Sequence, residues 1–120
     1  MIRVKSVYDS QAKSDGYRIM VVADWPVGLR KGRAAGCDWV RSLGPSESLR
    51  GWMRQHPRKI GQFTDKYLAE LGKNDADIDK VCAMHKRYGA VTVLSVPAVD
   101  DHWPMAETLT RFLGTACDVV

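Results

Sequence analysis

At 120 residues, with 45% hydrophobic and 27% charged side chains, the chain has the size and composition of one globular domain with one core. No apolar run approaches the roughly 20 residues that span a bilayer, and Met1–Lys5 lacks the apolar segment of a signal peptide, so a soluble cytoplasmic protein with no membrane partner is expected. The net charge of +4 and isoelectric point near 9.1 suit a mildly basic surface, or a polyanion partner if the charge is clustered.

Ile2 to Tyr8 alternates weakly and reads as a first strand. A polar segment ending in Asp15-Gly16, a turn signal, leads into Ile19–Ala23. That run is apolar throughout and β-branched at Val21 and Val22, the pattern of a central strand covered on both faces. Asp24-Trp25-Pro26-Val27-Gly28 stops it, because proline cannot donate to a ladder. Gly28 to Gly36 is a basic, glycine-rich loop that lacks the Gly-Lys-Ser/Thr ending of a phosphate-binding loop. Cys37 to Leu43 suits a short helical turn or an ordered segment packed by Trp39.

Ser46 is a good N-cap for a helix whose apolar stripe is Leu49, Trp52 and Met53, and Pro57 ends it. A second helix runs from about Arg58 to Leu71, with Gly72 as its stop. Ile78, Val81, Cys82 and His85 mark a third, closed by Gly89. Ala90–Val96 is the second strong strand, ended by Pro97. Asp100–Pro104 reads as a loop, with Pro104 at the first position of a last helix that carries Met105, Leu109, Phe112 and Leu113 and stops at Gly114. Cys117 to Val120 is a short apolar tail, an edge strand or packed coil. Two buried-type strands separated by helices imply a parallel pair, hence a single α/β domain spanning residues 1–120 with a parallel or mostly parallel sheet. Val21, Val22, Val93 and Leu94 are expected buried on adjacent parallel strands.

In open α/β sheets the crevice beyond the carboxyl ends of the strands is the usual ligand site. The two strand ends would bring together Asp24, Trp25, His102 and Trp103, the candidate pocket. An Asp–His pair there has the chemistry of general acid–base catalysis. The plainer reading is a solvated loop in which Asp100, Asp101 and His102 cap the last helix. Arg50 and Arg54, four apart on one helix, are candidate anion contacts, or simply solvated. The Arg30–Arg33 loop is the strongest basic cluster, but it lacks the interleaved aromatics that stack on bases. Cys82 and His85 share a helix face, yet a zinc site needs more ligands, and nothing fixes Cys37 or His56 beside them, so no metal is implied. Three widely spaced cysteines read as reduced thiols. Trp25, Trp39 and Trp52 read as packing residues, whereas the loop around Trp103 would leave it on a binding surface.

Several stretches together resemble the DUF-488 (YeaO-like) family. These are Lys5–Asp9, Ser14–Ile19, Trp25-Pro26 with Gly28, Trp39, Pro45-Ser46 followed by Leu49-Arg50, Phe63, and Tyr67–Leu71. The strand Val91–Leu94 and the closing helix also fit, so the resemblance covers nearly the whole chain. It implies a small α/β domain of bacterial or archaeal cytoplasm, without an established biochemical role. The departures fall on charged positions. Val22, Ala23 and Val27 stand where the family pattern has an aspartate and two arginines. Ser6 replaces an arginine and Arg54 a histidine. The Asn-His before the last helix aligns near Pro104-Met105, with His102 displaced. The apolar framework is kept while most of the charged cluster is replaced.

The favoured expectation is therefore non-catalytic binding of a small ligand or protein at the strand-end crevice, without a cofactor. That crevice should be less charged than the family pattern would make it. One alternative is a small-molecule enzyme using Asp24 and His102, with Arg50 or Arg54 as an anion clamp. The other is a nucleic-acid-binding module using the basic loop.

Overall fold

A computed structural model describes the chain except for residues 31, 33–35, 101 and 118–120. Lys31 and Arg33 of the basic loop, Asp101, and the apolar tail beyond Cys117 thus lie outside the described residues. The sheet has four parallel strands: β1 (Ile2–Ser6), β2 (Tyr17–Met20), β3 (Cys37–Trp39) and β4 (Val91–Ser95). Their order across the sheet is β1-β4-β2-β3. The two inner strands are β2 and β4; β2 ends at Met20, earlier than the apolar run Ile19–Ala23 implied, so Val21 and Val22 lie just beyond it while Val93 and Leu94 are on β4, and all four are buried. Because every strand is parallel, the carboxyl ends of β2 and β4 open at the same sheet edge.

Among the described residues the α-helices are α1 (Glu47–Gln55), α2 (Ile60–Leu71), α3 (Asp75–Tyr88), α4 (Pro97–Asp100) and α5 (Met105–Cys117). Among the described residues no helix is long and apolar enough to cross a membrane. Ser46 caps α1 by accepting the Leu49 N–H at 3.1 Å, and Gly89 ends α3 in the left-handed region. Both ends follow from the local chemistry of their residues.

Four local expectations are corrected. Within Cys37–Leu43 the short helical turn is confined to Arg41–Leu43, and Cys37–Trp39 is an edge strand, because it pairs with Arg18–Met20 and the Val40 N–H continues to the Met20 carbonyl. α4 forms where a loop was expected, since the Asp100 carboxylate folds back to accept the Val96 N–H. The same carboxylate accepts the Ala106 N–H and so caps α5, whose first residue is Met105 rather than Pro104. α5 runs through Gly114 to Cys117, because burial of Leu113 and Cys117 outweighs the weak helix propensity of one glycine.

Cys117 is also where the reduced-thiol expectation fails. Cys82 on α3 and Cys117 on α5 form a disulfide, with Cα atoms 5.1 Å apart. Only helix packing sets this proximity, and no sequence spacing announces it. Cys37 is free.

The sheet also buries charge. By register, Arg3, Lys5, Arg18 and Thr92 share one face. The segment before β2 folds across that face: Lys5 Nζ donates to the Ser10 carbonyl, Arg3 to that of Ser14, and Thr92 Oγ1 to that of Asp15. Arg18 and Asp15 are each only 1% exposed. The Asp15 carboxylate receives Lys5 Nζ at 2.9 Å and the Ala12 N–H at 3.0 Å, with Arg18 Nε at 3.4 Å. Burial alone would raise the Asp15 pKa. The Ala12 hydrogen bond, the Lys5 ammonium and the Arg18 guanidinium outweigh it and hold the carboxyl below its ordinary value. Gly16 then turns the chain at φ 64°, where any Cβ would sit 2.3 Å from the Ala90 carbonyl oxygen.

Two predictions follow from this packing. Asp15→Asn should lower stability at neutral pH by about 3–5 kcal/mol, because it removes the buried negative charge that Lys5 and Arg18 both face. The folded pKa of Asp15 lies below the ordinary 3.8, so its contribution is complete above that value and is lost as pH falls through the folded pKa. Urea melts of both proteins from pH 7 to pH 2 should show the gap closing at the acid end. Reducing the disulfide opens a ring with a sequence separation of 35. The chain-entropy estimate for that loop is about 4 kcal/mol, readable as a lower Tm in dithiothreitol.

Candidate functional site

β2 and β4 deliver their ends to one edge, and Gly44-Pro45-Ser46 brings α1 there. Gly44 packs so close to the end of β2 that a Cβ would lie 2.2 Å from the Val21 carbonyl oxygen. This contact seats Pro45 and the start of α1 beside the strand end. One turn further along α1, Arg50 and Met53 point back toward it. Val99 of α4 and Met105 of α5 come from the side of β4. The result is a cavity of about 170 Å³ lined by Val22, Ala23, Asp24, Pro45, Arg50, Met53, Val99 and Met105.

Most of this lining is apolar. Its two charged groups are Asp24, which is exposed, and Arg50, which is half-buried. Arg50 Nη1 donates to the Pro45 carbonyl at 2.9 Å, which restrains the guanidinium beside another lining residue. Among the described residues no ion pair joins Asp24 to Arg50.

The other residues singled out in the sequence lie elsewhere. Trp25 packs edge-to-face on Trp39, with ring centroids 5.4 Å apart, and donates its indole N–H to the Leu29 carbonyl. Trp39 donates to the Val22 carbonyl and so braces the strand end from behind. Its outer side carries the Arg41 guanidinium, 4.0 Å from the ring centroid. Trp52 stacks on His56. Trp103 is half-buried against Phe63, at 5.2 Å between centroids, so it belongs to the packing rather than to an open rim. His102 is exposed on the turn after α4, and its backbone N–H goes to the Val99 carbonyl. Arg54 is exposed at the last turn of α1. Of the four pocket candidates, the structure places Asp24 in the cavity and the other three outside its lining. Of the two arginines, it places Arg50 there.

A broader cleft of about 550 Å³ opens on the far side of Pro45, between Arg41, Arg50, Lys73, Glu47 and Glu70. Its three cations surround the N-terminus of α1, which would ordinarily attract an anion. The protein supplies that anion itself: the Glu70 carboxylate accepts both the Ser46 N–H and the Ser46 hydroxyl. Free phosphate would have to displace it. Among the described residues no group of three or more His, Cys, Asp or Glu side chains is placed to hold a metal ion. His85 receives the N-terminal ammonium at 2.8 Å, and Cys82 is in the disulfide.

Two buried phenols are structural. Tyr67 donates to the Leu43 carbonyl at 2.6 Å and Tyr17 to Asp38 at 2.7 Å; burial pushes both well above the ordinary tyrosine range. Met53, Val99 and Met105 also line the cavity although the sequence did not single them out for it; Met53 and Met105 were legible as core. Sequence reading missed the Asp15–Arg18 pair, for which the signal was an arginine at the head of an otherwise apolar strand.

The fold and its crevice define a small all-parallel α/β domain with a strand-end site. The chain belongs to the DUF488 family: the model described as "Inactive DUF488-N3 subclade" matches residues 1–119. It is 38% identical over 95 residues to the uncharacterised protein YeaO of Escherichia coli (strain K12), a match covering 74% of this chain and 83% of that protein. It is also 34% identical over 70 residues to an uncharacterised protein of Mycobacterium tuberculosis (strain H37Rv), covering 58% of this chain and 59% of that relative. No solved structure matches the chain significantly.

Cys37, the free thiol, is a poor nucleophile at neutral pH. Burial and the neighbouring Asp38 carboxylate push its pKa up to about 11 against the opposing pull of Arg18. Iodoacetamide labelling of the native protein should therefore rise about tenfold per pH unit through pH 8 to 10 and level off only near 11. A plateau by pH 9 would show the thiol to be unperturbed.

Proposed function

We propose that this protein is a non-catalytic binding domain whose strand-end crevice takes a small ligand or a side chain of a protein partner. The cavity between Val22, Met53, Val99 and Met105 carries this reading: it is apolar, it lies where α/β sheets bind ligands, and Arg50 is restrained in its lining. The subclade's description as inactive agrees with it. So does the presence of Val22 and Ala23 in the crevice, at positions where the family pattern that the sequence resembles has charged residues. Acid–base catalysis has less support, because His102 is not among the residues that line the crevice. A cytoplasmic setting belongs to the same proposal, and there reducing conditions would oppose the Cys82–Cys117 bridge.

The test is a nitrogen-edited NMR titration of the protein with aromatic acids, inorganic phosphate, nucleotides and short oligonucleotides. An apolar or aromatic compound should shift the resonances of Val22, Met53, Val99 and Met105. Met53→Trp, which fills the cavity at an overpacking cost of about 1–3 kcal/mol, should abolish those shifts. Oligonucleotide binding that weakens steeply with salt and survives Met53→Trp would instead establish the nucleic-acid alternative.

A further inference from the structure

We infer that the crevice is built for a zwitterion, an α-amino acid with a small apolar side chain, its carboxylate on Arg50 and its ammonium on Asp24. This rests on the reading of the crevice as a binding site and goes beyond it in naming the ligand class. The observation is that two opposite charges line one small cavity without pairing. Asp24 lies four residues beyond the end of β2, exposed at the cavity. Arg50 is held on α1 by its bond to the Pro45 carbonyl. That bond uses one N–H, and among the described residues the side chain makes no other hydrogen bond or ion pair, so the rest of the fork is available to a carboxylate.

Net charge and size narrow the class. One cation and one anion make a locally neutral site, which matches a neutral zwitterion. A phosphate or dicarboxylate would bring surplus negative charge against Asp24. A cavity of about 170 Å³ has room for about six waters at roughly 30 Å³ each, which limits the ligand to a small molecule. The apolar lining includes Val22, Met53, Val99 and Met105, which would receive an aliphatic group. An amino acid the size of valine meets all three conditions. Nucleotides and peptides are too large to enter whole.

The experiment compares L-valine with its two half-molecules: 3-methylbutanoate, which lacks the ammonium, and 2-methylpropylamine, which lacks the carboxylate. Each is titrated at pH 7.5 and millimolar concentration into wild type, Asp24→Asn and Arg50→Ala, with melting curves to verify folding. Valine should bind at least tenfold more tightly than either half. Asp24→Asn should weaken valine to the level of 3-methylbutanoate and leave 3-methylbutanoate itself unchanged. Arg50→Ala should weaken both carboxylates. If 3-methylbutanoate binds as well as valine and Asp24→Asn changes nothing, the zwitterion inference is overturned while the crevice remains a binding site. If no probe moves a crevice resonance, the zwitterion inference also fails. The aromatic acids of the preceding titration then decide whether the crevice reading falls with it.

Discussion

The Asp15 carboxylate is the interaction on which the arrangement of this sheet depends. An arginine in the middle of a parallel sheet would ordinarily be intolerable, since an unpaired buried charge costs more than most domains have to spare. Asp15 makes Arg18 tolerable and simultaneously ties β1, through Lys5, to the segment leading into β2. These two strands are not neighbours, for β4 lies between them. The short connection from β1 to β2 must therefore cross β4, and it does so over the polar face, where Thr92 receives it through the Asp15 carbonyl. The ion pair serves as a bolt through three strands. Such a bolt adds specificity of register more than net stability, because desolvation offsets much of the Coulombic attraction.

With the register fixed, the site follows from backbone contacts rather than from charged clusters. Gly44 lies against the Val21 carbonyl and Trp39 donates to that of Val22, so both carbonyls beyond the end of β2 are held by neighbouring segments. This is why the apolar framework can persist while the charged positions around it change. Val22 and Ala23 line the crevice, whereas Val27 is exposed outside it.

Much of this architecture was legible in the sequence, and the reasons for the exceptions are physical. Ile19–Met20 and Val91–Leu94 announce themselves because burial on both faces leaves few polar positions, Thr92 being the exception. Ser46 and Gly89 mark helix ends because their chemistry is local. Trp103 was misplaced because the turn that holds it depends on Asp100 bonding to Val96 and Ala106, a return contact that no periodicity reveals. Cys37–Trp39 was missed as a strand because three residues are too few for a pattern; pairing with β2 makes it one. Within the site, Asp24 and Arg50 could each be named, but not their sharing of one cavity without Trp25 or His102. That depends on how far α1 is turned about its axis when Gly44 docks.

The Cys82–Cys117 bridge divides the crevice in a way that ordinary packing does not. Residues 82 to 117 form a closed covalent ring that contains β4, α4 and α5. Val99 and Met105 belong to that ring; Val22, Asp24, Arg50 and Met53 belong to the open chain before it. The crevice is thus the seam between a ring and an open chain. A protease that cuts within the ring leaves the molecule in one piece and its wall of the crevice tethered at both ends. A cut in the segment carrying Asp24 and Arg50 releases a fragment, and the charged wall can leave with it.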